Sequence, residues 1–142
     1  MLGFRCWRLF LPLLVLAVGC GKDKVDHPPL ALVSGRVLLD DRPLAKALVR
    51  FQPAERESGK FVPDSYGETD EQGYFSLRAV LEKGDADGAV IGLHRVQITL
   101  FDREAEGGPR ELVPAKFNRD SKLTFTVPAG GTKEAHFNLT SK

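Results

Sequence analysis

The stretch Thr69-Asp70-Glu71-Gln72-Gly73-Tyr74-Phe75-Ser76-Leu77 narrows most sharply what this chain can fold into. Asp70 can accept a hydrogen bond from the backbone two residues on, and Gly73 can supply the positive φ that closes a tight turn. Phe75 and Leu77 then share one face of the strand after the turn, with Ser76 and Arg78 on the other. A turn of fixed register feeding a strand with one apolar face is the unit from which a small β-sandwich is assembled.

The same period of two recurs along the chain. Val33, Gly35, Val37 and Leu39 alternate with Ser34 and Arg36, and Asp40-Asp41-Arg42-Pro43 then turns the chain. Ala47, Val49 and Phe51 alternate with Leu48, Arg50 and Gln52. His94, Val96, Ile98 and Leu100 alternate with Arg95, Gln97 and Thr99, the clearest strand of all. Leu123, Phe125 and Val127 make another, closed by Pro128-Ala129-Gly130-Gly131, and Ala135, Phe137 and Leu139 make the last. With a short strand at Tyr66 to Thr69 and one from Tyr74 to Val80, the expected count is seven. Residues 53–65 and 82–92 are rich in Gly, Pro, Ser, Asp and charge and are expected to be loops, as is the long stretch 102–121. Helical periodicity is absent. The pattern predicts an all-β fold, a seven-stranded antiparallel β-sandwich over residues 30–142, long enough for one core.

The first twenty residues set the expected location. Arg5 and Arg8 precede an apolar run from Leu9 to Val18, and Gly19 is small, so residues 1–19 read as an export signal peptide. The run is well short of the ~20 apolar residues that span a bilayer. Leu16-Ala17-Val18-Gly19-Cys20 resembles a bacterial lipobox, with Ala17 where the usual pattern has Leu. That resemblance implies cleavage before Cys20, a diacylglyceryl group on its thiol, and an extracytoplasmic protein held at a membrane. Residues 21–29, polar and proline-ended, read as a tether. Cys6 and Cys20 are the two cysteines, so the expected domain has neither a disulfide nor a thiol ligand. Removing residues 1–19 takes Arg5 and Arg8 from a chain of net charge +1 and leaves it at −1, which argues against nucleic acid as a partner.

Several segments together resemble carboxypeptidase regulatory-like, or transthyretin-like, domains. They are Val33 to Val37, Asp41 to Leu44, Ala47 to Phe51, Thr69 to Phe75, Gly92 to Val96, Val113 to Asn118 and Ala135 to Leu139. The last two are similar to segments of small bacterial lipoproteins carrying that domain. The resemblance runs in order over about residues 30–140 and implies the sandwich fold; it does not imply a function.

Some transthyretin-like proteins are hydrolases with a C-terminal tetrapeptide of Tyr-Arg-Gly-Ser type. This sequence ends Asn138-Leu139-Thr140-Ser141-Lys142, and its histidines fall in the tether, at a strand start (His94) and on the polar face of the last strand (His136). No serine has a nucleophile-elbow context. No enzymatic activity and no cofactor are expected. Asp85-Ala86-Asp87-Gly88 begins like a calcium loop but places its glycine two residues early and lacks the distal Glu, so no metal site is assigned. An internal isopeptide bond to Asn138 would need a lysine where the first strand has Arg36. The candidate ligand-facing residues are Tyr66, Tyr74 and Phe117, aromatics in or near loops that could stack on a sugar; their alternative role is to cap the core edge and pin the long loop. The expected function is a structural or adhesive one, holding a module near the envelope or docking to another envelope component (a protein or a polysaccharide), with a weak carbohydrate-binding module as the alternative.

Overall fold

Val49 and Phe51 point to one side of their strand, Leu48, Arg50 and Gln52 to the other, and this alternation repeated strand by strand sets the architecture. The computed structural model describes residues 26–142. The expected signal peptide, Cys20 and most of the tether lie outside the described residues. The early strands are β1 Leu30–Ala31, β2 Val33–Leu39, β3 Arg42–Pro43, β4 Leu48–Pro53, β5 Ser65–Glu68, β6 Tyr74–Ser76 and β7 Arg78–Val80. The later ones are β8 Asp85–Asp87, β9 Ala89–Val90, β10 Gly92–Thr99, β11 Phe101–Asp102, β12 Arg110–Glu111, β13 Thr124–Val127 and β14 Thr132–Leu139. Among the described residues the one helical segment is a 3₁₀ turn, Ala115–Phe117. The chain is mostly β, and its sheets are antiparallel apart from one pairing.

The larger sheet runs β13-β10-β4-β5-β7-β8, and the smaller runs β14-β2-β3 with β6 also alongside β2. Two short pairings, β1 with β9 and β11 with β12, complete the set. Apolar side chains from both main sheets meet in one core. Phe51 of the larger sheet meets Phe137 of the smaller edge-on, with ring centroids 6.0 Å apart. Phe137 also meets Phe75 and Phe125 at 6.4 and 6.1 Å. Val37, Val49, Val96, Ile98, Ala135 and Leu139 fill the space around these rings. Burying each large side chain contributes about 1.5–3 kcal/mol, and each aromatic pair about 0.5–1.5 kcal/mol more.

The opening turn takes the expected form. Asp70 Oδ1 accepts from the N–H groups of Gln72 and Tyr74, both at 2.9 Å, and Gly73 sits at φ 81°. The single strand expected from Tyr74 to Val80, by contrast, is two strands in two sheets. The chain crosses at Leu77, whose N–H donates to the Val33 carbonyl (2.9 Å) and whose carbonyl accepts from Gly88 N–H (2.8 Å). Phe75, Leu77 and Ala79 stay buried throughout, so the period of two passes through the crossing unbroken.

Two further expectations are corrected. Residues 82–92 are not simply a loop: the chain bends at 82–84, 88 and 91, with Gly84 (φ 81°), Gly88 (φ 108°) and Gly92 (φ 117°) left-handed, and between these bends Asp85–Asp87 is extended on the edge of the larger sheet. There Arg78 pairs with Asp87 across the ladder at 3.4 Å. The first and last long strands, β2 and β14, pair parallel rather than antiparallel. The chain reaches β14 by crossing from the larger sheet through residues 128–131, so it joins β2 from outside a hairpin. Gly35 lies at this seam, where a Cβ would run into the Ala135 carbonyl, and the register shifts between Thr132 and Ala135.

Candidate functional site

The outward face of the larger sheet carries a row of polar and aromatic side chains. Ladder register places Arg78, Tyr66, Arg50 and Gln97 side by side on β7, β5, β4 and β10. Arg50 is the hub. Its Nε and Nη2 donate to Asp64 Oδ2 at 3.0 and 2.5 Å, its Nη1 donates to Gln97 Oε1 at 3.3 Å, and its guanidinium carbon lies 5.7 Å from the Tyr66 ring centre. The Asp64 bonds raise the Arg50 pKa above its ordinary value. Arg56 holds the other oxygen of Asp64, so one carboxylate ties the 54–64 loop to the sheet.

Next to this row, residues 118–121 lie across β10. Gln97 Nε2 donates to the Asn118 carbonyl (3.0 Å), and Arg95 donates to the carbonyls of Ser121 (3.0 Å) and Arg119 (2.9 Å). Asn118 and Ser121 are buried. Asn118 Nδ2 donates to the Val113 carbonyl at 3.0 Å, and Ser121 Oγ donates to the Val96 carbonyl at 2.5 Å. A cleft of about 590 Å³ opens beside them, lined by Gln97, Thr99, Phe101, Glu111, Asn118 and Arg119 among others. Phe101 is 52 % exposed at its rim.

The three sequence-selected aromatics do not converge. Tyr66 stands in the row described above. Phe117 ends the 3₁₀ turn next to Asn118, half-buried against the core with Lys116 Nζ 5.0 Å from its ring centre. Tyr74 points outward from the smaller sheet, 50 % exposed, with the Arg36 guanidinium 5.0 Å over its ring. Tyr66 and Tyr74 therefore face away from different sheets and cannot stack on one ligand together.

No family model, curated protein or solved structure matches this chain.

His94 is 1 % exposed, set against Phe51 with ring centroids 5.6 Å apart. Its Nδ1 donates to the Gly92 carbonyl at 2.9 Å, and its Nε2 has no hydrogen-bond partner among the described residues. Burial lowers its pKa, with the Gly92 bond opposing in part, so the ring is a neutral member of the core. Among the described residues no three His, Cys, Asp or Glu side chains converge as metal ligands. Asp85 and Asp87 lie on β8, exposed on one face of an edge strand. Arg50, Asp64, Asn118 and Ser121 were not singled out from the sequence. Asn118 alone had a signal, as the last residue of the Val113–Asn118 segment behind the family resemblance.

Proposed function

We propose that this chain is a lipid-anchored, non-enzymatic interaction module on the extracytoplasmic side of a bacterial membrane. Residues 30–142 would form a β-sandwich of the carboxypeptidase regulatory-like, transthyretin-like kind. The observation that carries the reading is how soon the chain is locked into its sheets. The Pro29 carbonyl accepts from Ile91 N–H at 3.2 Å, and Leu30 and Ala31 pair with Val90 and Ala89. Residues 21–29 are all that separate Cys20 from this lock, and nine residues fully extended span at most about 30 Å. A lipid on Cys20 would hold the outward sheet faces about one domain diameter from the membrane, where an envelope component can reach them. The polar side chains also favour docking over catalysis, since Asp64, Asn118, Ser121 and His94 are all engaged in holding loops and core.

The second reading, a weak carbohydrate-binding module, is favoured by the Tyr66–Arg50–Gln97 row and the adjoining cleft with exposed Phe101. Fractionation tests the anchor: Cys20→Ser should move the protein from membranes into the soluble fraction, and retention at membranes would refute lipidation. Capture from envelope extract and cell-wall polysaccharide separates the two readings of the domain. A retained protein supports the docking module, whereas a saccharide lost on Tyr66→Ala and Phe101→Ala supports the carbohydrate module.

A further inference from the structure

The outer strands of a sheet expose unpaired backbone groups, and proteins guard them with charge, proline or bulges. Three outer strands here are guarded. β8 carries Asp85 and Asp87, β3 is Arg42–Pro43, and β14 carries Lys133, Glu134 and His136 with a register shift near its start. Two others in the main sheets carry neither charge nor proline: the three-residue β6, Tyr74-Phe75-Ser76, and the longer β13, Thr124-Phe125-Thr126-Val127. Among the described residues the one strand neighbour of β13 is β10.

The ladder shows which groups of β13 face outward. Val96 N–H donates to the Leu123 carbonyl at 2.9 Å, which makes 96 and 123 a hydrogen-bonded pair. Bonded pairs alternate in an antiparallel ladder, so His94–Phe125 and Gly92–Val127 are bonded as well. The opposite edge of β10 agrees, since Ala54 N–H donates to the Leu93 carbonyl at 2.9 Å and the odd-numbered residues serve β4. Thr124 and Thr126 therefore turn their N–H and C=O away from the sheet.

We infer that this edge is a self-association site and that its occupant is β13 of a second copy of this chain. The segment Leu123-Thr124-Phe125-Thr126-Val127 has the same pattern in both directions: aliphatic, Thr, Phe, Thr, aliphatic. Paired antiparallel about Phe125, each Thr124 faces Thr126 of the other copy, and these are the residues with outward backbone groups. Both threonine pairs would exchange N–H···O bonds, Phe125 would meet Phe125 at the two-fold axis, and Leu123 would meet Val127. Lys122 would fall opposite Pro128, so no like charges oppose. A contact of this kind is isologous and closes at two copies. Phe125 is suited to it, being only partly buried although it touches Phe51 and Phe137.

The test is sedimentation equilibrium of the full chain in density-matched non-ionic detergent. The wild type should give a dimer. Thr126→Pro deletes one outward N–H and leaves the bonds to β10 in place, as proline on an edge strand can. Thr126→Lys places a charge on the strand without touching the backbone, and Thr126→Val keeps both N–H and shape. Proline and lysine should each raise the dissociation constant at least ten-fold, and valine should leave the dimer intact. A monomeric wild type overturns the proposal, as does a dimer unchanged by both proline and lysine. If the proline variant fails to fold, the lysine variant decides alone.

Discussion

Thr69 offers the sharpest test of how this fold is held together. It is 2 % exposed, at the exit of β5. Its Oγ1 donates to the Leu44 carbonyl at 2.5 Å and accepts from Ala47 N–H at 2.8 Å. Its own backbone bonds the same turn twice more, Thr69 N–H to the Ala47 carbonyl and Lys46 N–H to the Thr69 carbonyl, both at 2.9 Å. One hydroxyl thus serves a donor and an acceptor in a turn where Lys46 already sits at φ 60°. Thr69→Val swaps that hydroxyl for a methyl at constant volume, so packing is kept and both backbone groups lose their partner. Each buried group left unsatisfied costs about 1–3 kcal/mol, giving about 2–6 kcal/mol for the pair. That is a large share of the ~5–15 kcal/mol total of a small domain. At roughly 4 °C per kcal/mol the melting temperature should fall by about 8 °C or more. Thr69→Ser keeps the hydroxyl and loses one methyl, for about 1 kcal/mol. Urea unfolding followed by circular dichroism, with equal m-values across the set, measures both. A valine variant within about 0.5 kcal/mol of wild type, or one more stable than the serine variant, would refute the reasoning.

Two other perturbations draw on the same structure. Burial holds the His94 pKa below its ordinary 6.5, so as pH falls through about 6.5 the unfolded chain takes up the proton first. The His94 contribution to stability is complete above that pH and declines below it. Urea midpoints at pH 7.5 and 5.0 should therefore differ more in wild type than in His94→Phe, and equal differences would count against the buried neutral ring. Asp64→Ala releases Arg50 and Arg56 together. Because those side chains are 36 % and 47 % exposed, the stability loss should stay near ~1 kcal/mol. Trypsin should nonetheless cut after Arg56 or Lys60 several-fold faster, and an unchanged rate would mean that Asp64 does not secure the loop.

Parity within a strand was legible in the sequence, and register between strands was not. Val49 and Phe51, Val96 and Ile98, and Phe137 and Leu139 are buried as their alternation demands. The same parity places Tyr66 outward, since Ser65 and Gly67 on either side of it are buried. That its neighbour is Arg50, and that Arg50 grips Asp64, depends on the register of β4 against β5 across a long loop. No local pattern encodes that pairing. Asp64 therefore passed as one more polar loop residue, and Asn118 and Ser121 as part of an irregular stretch.

The weak signal of β5 and the hidden crossing at Leu77 have one cause. The inward positions of β5 are Ser65 and Gly67, which no hydrophobic period would select. A Cβ on Gly67 would lie 2.5 Å from the Ser76 carbonyl oxygen and 3.4 Å from Leu77 Cδ2. The chain moving from β6 to β7 presses on β5 at this point, and only small residues leave it room. A short strand with small inward residues is thus the trace that the sheet switch leaves in the sequence, in a partner strand rather than at the switch. Gly67→Ala should then act as overpacking, costing about 1–3 kcal/mol and straining Leu77. Gly130→Ala, where a Cβ meets only open space, should change little. Urea midpoints compare the two variants, and backbone chemical shifts at Ser76 and Leu77 report where the strain goes. If the Gly67 variant is as stable as the Gly130 variant, crowding by the crossing chain is not what keeps β5 small.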